Sequence, residues 1–315
     1  MNSGSAQVAN GIYAIDTHYV RPRMDASHLL VDQGRAAFVD TGTTLSVPHL
    51  SAALAQLDID PAAVDYIILT HVHLDHAGGA GRLAELLPAA KVLVHPRGAP
   101  HLADPQRLVA ATRVVYGDDH FARAYGEVLP VPAERIVAVA DGEEVLLGRR
   151  RLRFLHTPGH AMHHLCILDP QTRELFSGDT FGVSYRELDT PAGEFIIAAT
   201  TPSQFDPDQL TASVDRLLRE RPSAIYLTHY SRVVGVERLG ADLKADISAL
   251  VGIARSAAAL ADRVAAMTAR IFEHWSRRLD QHGFPADAAR RHALLDGDAA
   301  LNAAGLDAWL SRILR

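Results

Sequence analysis

The sequence predicts an α/β fold with an all-helical extension on its C-terminal side, and three observations carry that prediction. Short apolar runs alternate with segments of helical apolar spacing up to about Gly240. Ligand-type residues stand directly after several of those runs, where α/β folds place their chemistry. Beyond Gly240 the strand pattern stops and only helical spacing remains. A boundary is therefore expected there, dividing residues 1–240 from an extension of residues 241–315 that caps the first part or forms an interface.

The elements follow in order. Gly11–Ile15, His28–Val31 and Ala36–Val39 read as strands of a meander, the third running into Asp40-Thr41-Gly42. Pro48–Leu57 has helical spacing and closes at Asp58–Pro61. Val64–Thr70 (VDYIILT) reads as a buried strand, Gly78-Gly79 as a turn, Ala80–Leu87 as a helix and Lys91–Val94 as the next strand. From Arg97 to Pro132 the pattern is helix and loop, long for a plain connection and suggestive of a lid. Strands resume at Arg135–Val139, Glu144–Leu147 and Leu152–Thr157, and Leu165–Leu168 with Glu174–Ser177 forms a hairpin around Asp169-Pro170. Thr180–Pro207 is irregular, Asp208–Arg219 helical, and Ala224–Leu227 a last buried strand. One long helix should then reach about His274, followed by shorter ones at Ala286–Leu295 and Ala299–Leu314. Its apolar positions Leu243, Ile247, Leu250 and Ile253 face either the core or a second subunit, so a homodimer stands among the candidate partners.

A chain of 315 residues buries a large core. Its net charge of −6, without a basic run, excludes nucleic acid as the main partner. Cys166 is the single cysteine, so no intramolecular disulfide forms and a cytoplasmic setting is expected. The N-terminus lacks a charged segment leading into an apolar one, so no signal peptide is expected. No apolar run approaches the roughly 20 residues of a membrane span. A small-molecule substrate is the remaining expectation.

The chemistry starts at H-V-H-L-D-H, in which His71, His73, Asp75 and His76 directly follow the strand Val64–Thr70. Imidazole with carboxylate suits zinc, manganese or iron, and the lack of thiols argues against a sulfur-rich structural site. Three more strand ends carry ligand types: His160 in H-T-P-G-H, Asp179 in S-G-D-T and His229 in L-T-H-Y. Five histidines and two aspartates exceed one tetrahedral ion, but they fit two ions that share a bridging carboxylate and water.

That ordered set, spread over residues 8–235, resembles the metallo-β-lactamase-fold hydrolases, most of all their glyoxalase II-like branch. The resemblance implies a four-layer αβ/βα sandwich, with two facing mixed sheets, outer helices and metals at one rim. It implies two divalent ions, zinc first with manganese or iron as alternatives. His71, His73 and His160 would hold one ion, Asp75, His76 and His229 the other, with Asp179 bridging. Asp40, in the family's D-T-G turn, is read as orienting a ligand histidine. H-P-R-G-A-P-H-L (His95–Leu102), L-P-V-P (Leu129–Pro132) and H-A-M-H-H-L (His160–Leu165) further resemble a bacterial and archaeal subgroup. His163 and His164 read as packing or as supports of a ligand, and His95, His101 and His156 stand near the rim, within reach of substrate but read first as structural. His18, His28, His49, His120, His274, His282 and His292 match no ligand position.

The implied reaction is hydrolysis of a small-molecule ester, thioester or lactone through a metal-bridging hydroxide, with Asp179 at the reactive centre and Asp75 steering protons. Tyr185 and Arg186 follow Asp179 closely enough to contact substrate, the arginine clamping a carboxylate or phosphate. Two other readings compete. A mononuclear iron persulfide dioxygenase would use two histidines and a carboxylate. A metabolite-binding regulatory protein would keep the site without turnover. Flavodiiron oxidoreductases carry Glu where His73 stands and continue into a flavodoxin domain, and the tail lacks the basic glutathione-binding pattern of true glyoxalase II.

Overall fold

Thirteen strands among the described residues form two sheets, and both follow from strand periodicity. The structure, a computed structural model, describes residues 5–200, 204–285 and 287–314. Thr201-Pro202 of the irregular segment and the first residue of the expected helix Ala286–Leu295 lie outside that range.

The first sheet runs in sequence order, β1 (Ala6–Ala9), β2 (Ile12–Asp16), β3 (Ala26–Asp32), β4 (Arg35–Val39), β5 (Val64–Ile68), β6 (Lys91–Val94) and β7 (Ile136–Ala138). The first four are an antiparallel meander, and β4 to β7 are parallel. Parallel pairing requires crossovers. These are α1 (Val47–Gln56), then α2 (Leu74–Ala77) with α3 (Ala80–Leu86), then α4 (Ala99–Ala103), α5 (Gln106–Tyr116) and α6 (Asp118–Ala124). The last three occupy the stretch expected as helix and loop. The second sheet has the order β13 (Ser231–Val233), β12 (Ala224–Leu227), β11 (Glu174–Gly178), β10 (Leu165–Asp169), β9 (Arg150–His156) and β8 (Glu144–Leu147). Its β8 to β11 are antiparallel, and β11 pairs β12 in parallel.

Successive side chains of a strand point to opposite faces, and β4 to β6 use both. Ala36, Phe38, Ile67, Val92 and Val94 pack with Val47, Leu50 and Leu54 of α1 and with Ala80, Leu83 and Ala84 of α3. Ala37, Val39, Ile68 and Leu93 turn the other way and meet Leu152, Phe154, Leu165, Ile167, Phe176 and Tyr226 of the second sheet. The near-continuous apolar runs of the sequence are thus strands buried on both sides. The C-terminal turn of α3 is tied down by Arg135, whose guanidinium donates to the carbonyls of Ala84, Leu87 and Ala90. Two mixed sheets flanked by helices, with further C-terminal helices, make the expected αβ/βα sandwich.

The chain divides into two compact units. One comprises Met1–His156, His163–Gly178 and Pro222–Arg232 and holds both sheets except the last residue of β13; the other comprises Thr157–Met162, Asp179–Arg221 and Val233–Arg315. The second unit is helical: α7 (Pro207–Arg219), α8 (Val236–Ala257), α9 (Arg263–Gln281) and α10 (Ala288–Ile313). Asp206 caps α7 by accepting from Gln209 N at 3.0 Å, with Pro207 at the first helical position. The expected long helix to His274 is two, because the chain turns after Ala258 and restarts at Asp262, which caps α9. The two short helices expected after it are one, α10. Gly297, whose missing side chain would meet nothing, costs about 1 kcal/mol of propensity. The buried residues on either side of it, Leu295, Ala299, Ala303 and Leu306, outweigh that cost. Leu243, Ile247 and Leu250 of α8 are buried within the chain. Buried Asp246 gathers Ala198 N, Trp275 Nε1, His274 Nε2 and the Arg278 guanidinium, joining α8 and α9 to the segment before them. No helix of the described residues is long and apolar enough to cross a membrane.

Candidate metal centre

Strand ends set the position of the ligands. In the first sheet Val39 is level with Ile68 and Ile68 with Leu93, so Asp40 and the Leu69–His71 segment leave the sheet side by side. Asp40 N donates to Ile68 O at 2.8 Å, which extends that ladder by one residue. In the second sheet Gly178 is level with Leu227, so Asp179 and Thr228-His229 follow equivalent positions. Gly178 holds a left-handed φ of 47°, and a Cβ there would lie 2.6 Å from Thr70 Oγ1 and 2.7 Å from His164 Nε2. Only glycine fits immediately before Asp179. Two main-chain bonds stitch the sheets at this edge: Leu165 N to Thr70 O at 2.8 Å, and Ala26 N to Thr228 O at 2.8 Å.

Three groups of side chains each offer ligand atoms within 4.8 Å of one another: His71, His73 and His160; His71, His76 and Asp179; Asp75, His76 and His229. All seven residues expected as ligands take part. The ring nitrogens His71 Nε2 and His73 Nδ1 face each other at 2.7 Å. His160 Nε2 stands 3.3 Å from Asp179 Oδ2, and His229 Nε2 and His76 Nε2 stand 3.6 and 3.8 Å from Asp75 Oδ2.

The partners of the other ring nitrogens fix which nitrogen carries the proton. His160 Nδ1 lies 3.0 Å from Ala199 O, and His229 Nδ1 lies 3.0 Å from Met24 O. A carbonyl oxygen only accepts, so each Nδ1 is the donor and each Nε2 keeps its lone pair. His76 Nδ1 donates to Asp40 Oδ2 at 2.9 Å with the same result. This is the support that metal-ligating histidines have in metalloproteins. The donor set, all imidazole and carboxylate, fits divalent ions.

Asp40 is 1 % exposed and sits at a left-handed φ of 56°. Its Oδ1 accepts from Thr70 N at 2.8 Å, and its Oδ2 accepts from Thr70 Oγ1 and Thr228 Oγ1, both at 2.8 Å. Each of those threonines is next to a ligand in the chain, and no sequence pattern marks either as a support. Asp25 is likewise unmarked in the sequence. It is fully buried, bonded to the Thr17 hydroxyl at 3.2 Å, and burial pushes its carboxyl up to about 7, with His229 and His76 opposing the rise.

The remaining residues expected near the site fall in different places. Tyr185 is buried, and its hydroxyl donates to Asp298 Oδ1 at 3.3 Å. The Arg186 guanidinium donates to Ser184 O at 2.7 Å and pairs with Asp189 at 3.2 Å. Neither is in the three ligand groups. His164 is fully buried and stacks on His71 with ring centroids 4.8 Å apart; the His163 ring lies 5.6 Å from that of His73. His95 and His156 pack at 4.1 Å, and burial, helped by the His156 and Arg97 charges, holds His95 down at about 4.

A family model described as the metallo-beta-lactamase superfamily matches residues 20–229. The chain is 29% identical over 226 residues to the metallo-beta-lactamase fold-containing protein ST1585 of Sulfurisphaera tokodaii, an overlap of 70% of this chain and 78% of that one. Superposed on the crystal structure of ST1585 it gives a TM-score of 0.62 at 26% identity, covering 75% of this chain and 86% of the other. A metallo-beta-lactamase family protein of Thermus thermophilus, TTHA1429, shares the fold over 98% of this chain and 95% of its own, with a TM-score of 0.66 at 21% identity. The human acyl-coenzyme A thioesterase MBLAC2 is 32% identical over 186 residues, which are 55% of this chain and 64% of that protein.

Proposed function

Because the chain belongs to the metallo-beta-lactamase superfamily, we propose that it is a binuclear metal-dependent hydrolase of a small-molecule ester, thioester or lactone. The observation that carries this reading is the convergence of five histidines and two aspartates in three overlapping ligand groups. His71, His73 and His160 would hold one divalent ion, zinc first, and Asp75, His76 and His229 the other, with Asp179 shared. Two such ions supply a water of lowered pKa and polarise the scissile carbonyl.

The chain's own side chains do the rest. Asp40 and the carbonyls of Met24 and Ala199 hold three imidazoles in the tautomer that presents Nε2. Asp179 and Asp75 are the carboxylates beside those nitrogens and are assigned the proton transfers of the reaction. Arg186 is assigned to the substrate side, held at a fixed angle by Ser184 and Asp189, and Tyr185, buried with its hydroxyl on Asp298, is assigned to holding that segment. A thioester is favoured among the substrates by the likeness to a protein named as an acyl-coenzyme A thioesterase. A single cysteine suits a reducing, cytoplasmic setting.

Elemental analysis joined to a hydrolysis panel tests the proposal. Two zinc, manganese or iron ions per chain are expected, with turnover of p-nitrophenyl acetate, an acyl-coenzyme A thioester or a γ-lactone. A single iron per chain, with oxygen uptake on persulfides and no hydrolysis, would overturn it in favour of a dioxygenase.

A further inference from the structure

The loop after β2 and the insertion between β6 and β7 border an open cavity of about 430 Å³, walled in part by His18, Tyr19, Thr43, His49, His120 and Arg123. No carboxylate stands among the residues that line it. Its wall instead offers a guanidinium, three imidazoles and hydroxyls, all able to donate. In a chain of net charge −6 that is a local departure.

Two of the nearby carboxylates, Asp16 and Asp118, are engaged. Asp16 accepts from the main-chain N–H of His18 at 3.0 Å and of Arg23 at 2.9 Å, and Asp118 pairs with Arg113 at 2.5 Å. Asp119 lies one helical turn before Arg123 on α6. Arg123 enters none of the ion pairs of the described residues. His18 and His49 stack with ring centroids 4.4 Å apart. Burial and the neighbouring His18 hold the His49 imidazole below its ordinary value, and the Arg123 guanidinium is a permanent cation. His120 Nε2 is buried with no hydrogen-bond partner among the described residues. The loop is also strained: His18, Val20 and Arg23 hold left-handed φ values of 55°, 57° and 57°. Such strain persists where surrounding structure imposes it, and it gathers at ligand clamps.

We propose that this cavity binds an anionic oxygen-bearing group, a carboxylate or a phosphate, with Arg123 as its cation and His18, His49 and His120 as donors. Tyr19 connects it to the candidate metal centre. Its hydroxyl lies 2.6 Å from that of Tyr125, and both rings pack with Leu74, the residue before Asp75. Burial opposes ionisation of both hydroxyls. Resting on the hydrolase reading, the anionic group is assigned to the substrate itself.

The test uses the full-length, metal-loaded protein, with inorganic phosphate and acetate as separate probes. The imidazole proton–nitrogen signals of His18, His49 and His120 are followed by NMR, after assignment with single His→Gln variants. Saturable shifts are expected, with a dissociation constant below roughly 10 mM, and the tighter probe distinguishes phosphate from carboxylate. Arg123→Ala should weaken that constant about tenfold, with metal content as the control. Rings that do not titrate with either probe, or that titrate equally in Arg123→Ala, overturn the site. In hydrolysis, Arg123→Ala should raise KM for p-nitrophenyl succinate about tenfold more than for the acetate; an equal effect on both removes the substrate assignment. Titrating rings in a protein without hydrolase activity would refute the hydrolase reading and leave the anion site. Hydrolysis with silent rings would do the reverse.

Discussion

Asp40→Asn isolates the support of a single ligand. The substitution keeps the shape of the side chain, and asparagine tolerates the left-handed φ of 56° at this position. The two carboxylate oxygens each face one donor that cannot turn away: Thr70 N at 2.8 Å on Oδ1 and His76 Nδ1 at 2.9 Å on Oδ2. The threonine hydroxyls can rotate; these N–H groups cannot. An amide has one acceptor oxygen, so in either orientation its NH2 group meets an N–H at a site 1 % exposed. A buried donor left without its partner costs about 1–3 kcal/mol. With the oxygen on Thr70, His76 must move its proton to Nε2 and loses the lone pair it offers a metal. With the oxygen on His76, the same cost falls on the main chain between β4 and β5. Loss of such a supporting partner lowers metal affinity about 10–100-fold, or about 1.4–2.8 kcal/mol. Competition against a chromogenic chelator measures the first effect, and urea unfolding of the metal-free protein the second. A variant that matches the wild type in both would refute the assignment of Asp40 as the group that holds His76.

Asp179→Asn should lower bound metal from two ions per chain toward one and cut turnover at least about 100-fold; elemental analysis and the ester assay read both. Met24→Leu should leave metal affinity unchanged, because the Met24 carbonyl rather than its side chain supports His229; a tenfold loss in the chelator competition would contradict this. His28 is fully buried between Phe176 and Tyr226, and burial holds it down at about 4 against 6.5 in an unfolded chain. The unfolded state therefore takes up a proton first, and folding stability falls as pH drops from 6.5 through about 4, by on the order of 3 kcal/mol. His28→Gln should flatten that dependence, and parallel urea curves for both proteins between pH 8 and pH 4 would show the argument wrong.

Much of the fold was legible because its strands are buried on both faces and its helices on one. Phe38, Ile67 and Val92 face the helices while Ala37, Ile68 and Leu93 face the other sheet, so the runs are apolar throughout and stand out from their turns. The strand β1, half exposed at the sheet edge, carries no such signal, and α2 is a single turn inside the ligand motif. The C-terminal helices divide at other points than their apolar spacing implies, for a local reason. Asp262 ends a periodic stretch by capping the next helix, whereas Gly297 looks like a break but lies on an open face of α10.

The ligands and their supports differ in how they can be read. Each ligand follows a strand, and ligand-type residues at strand ends leave a pattern in the chain. The supports do not. Thr228 reaches Asp40 across 188 positions, and Tyr19 meets Tyr125 across 106, with nothing in spacing or composition to join them. Support from a carbonyl is less visible still, since every residue has one. His160 rests on Ala199 and His229 on Met24, residues whose identity is irrelevant to the bond they accept. Among these three supported histidines, only His76 is held by a side chain, and Asp40 is the one supporting group that the sequence exposed. Of the three supports, it is therefore the one where substituting a side chain can separate ligand orientation from ligand identity.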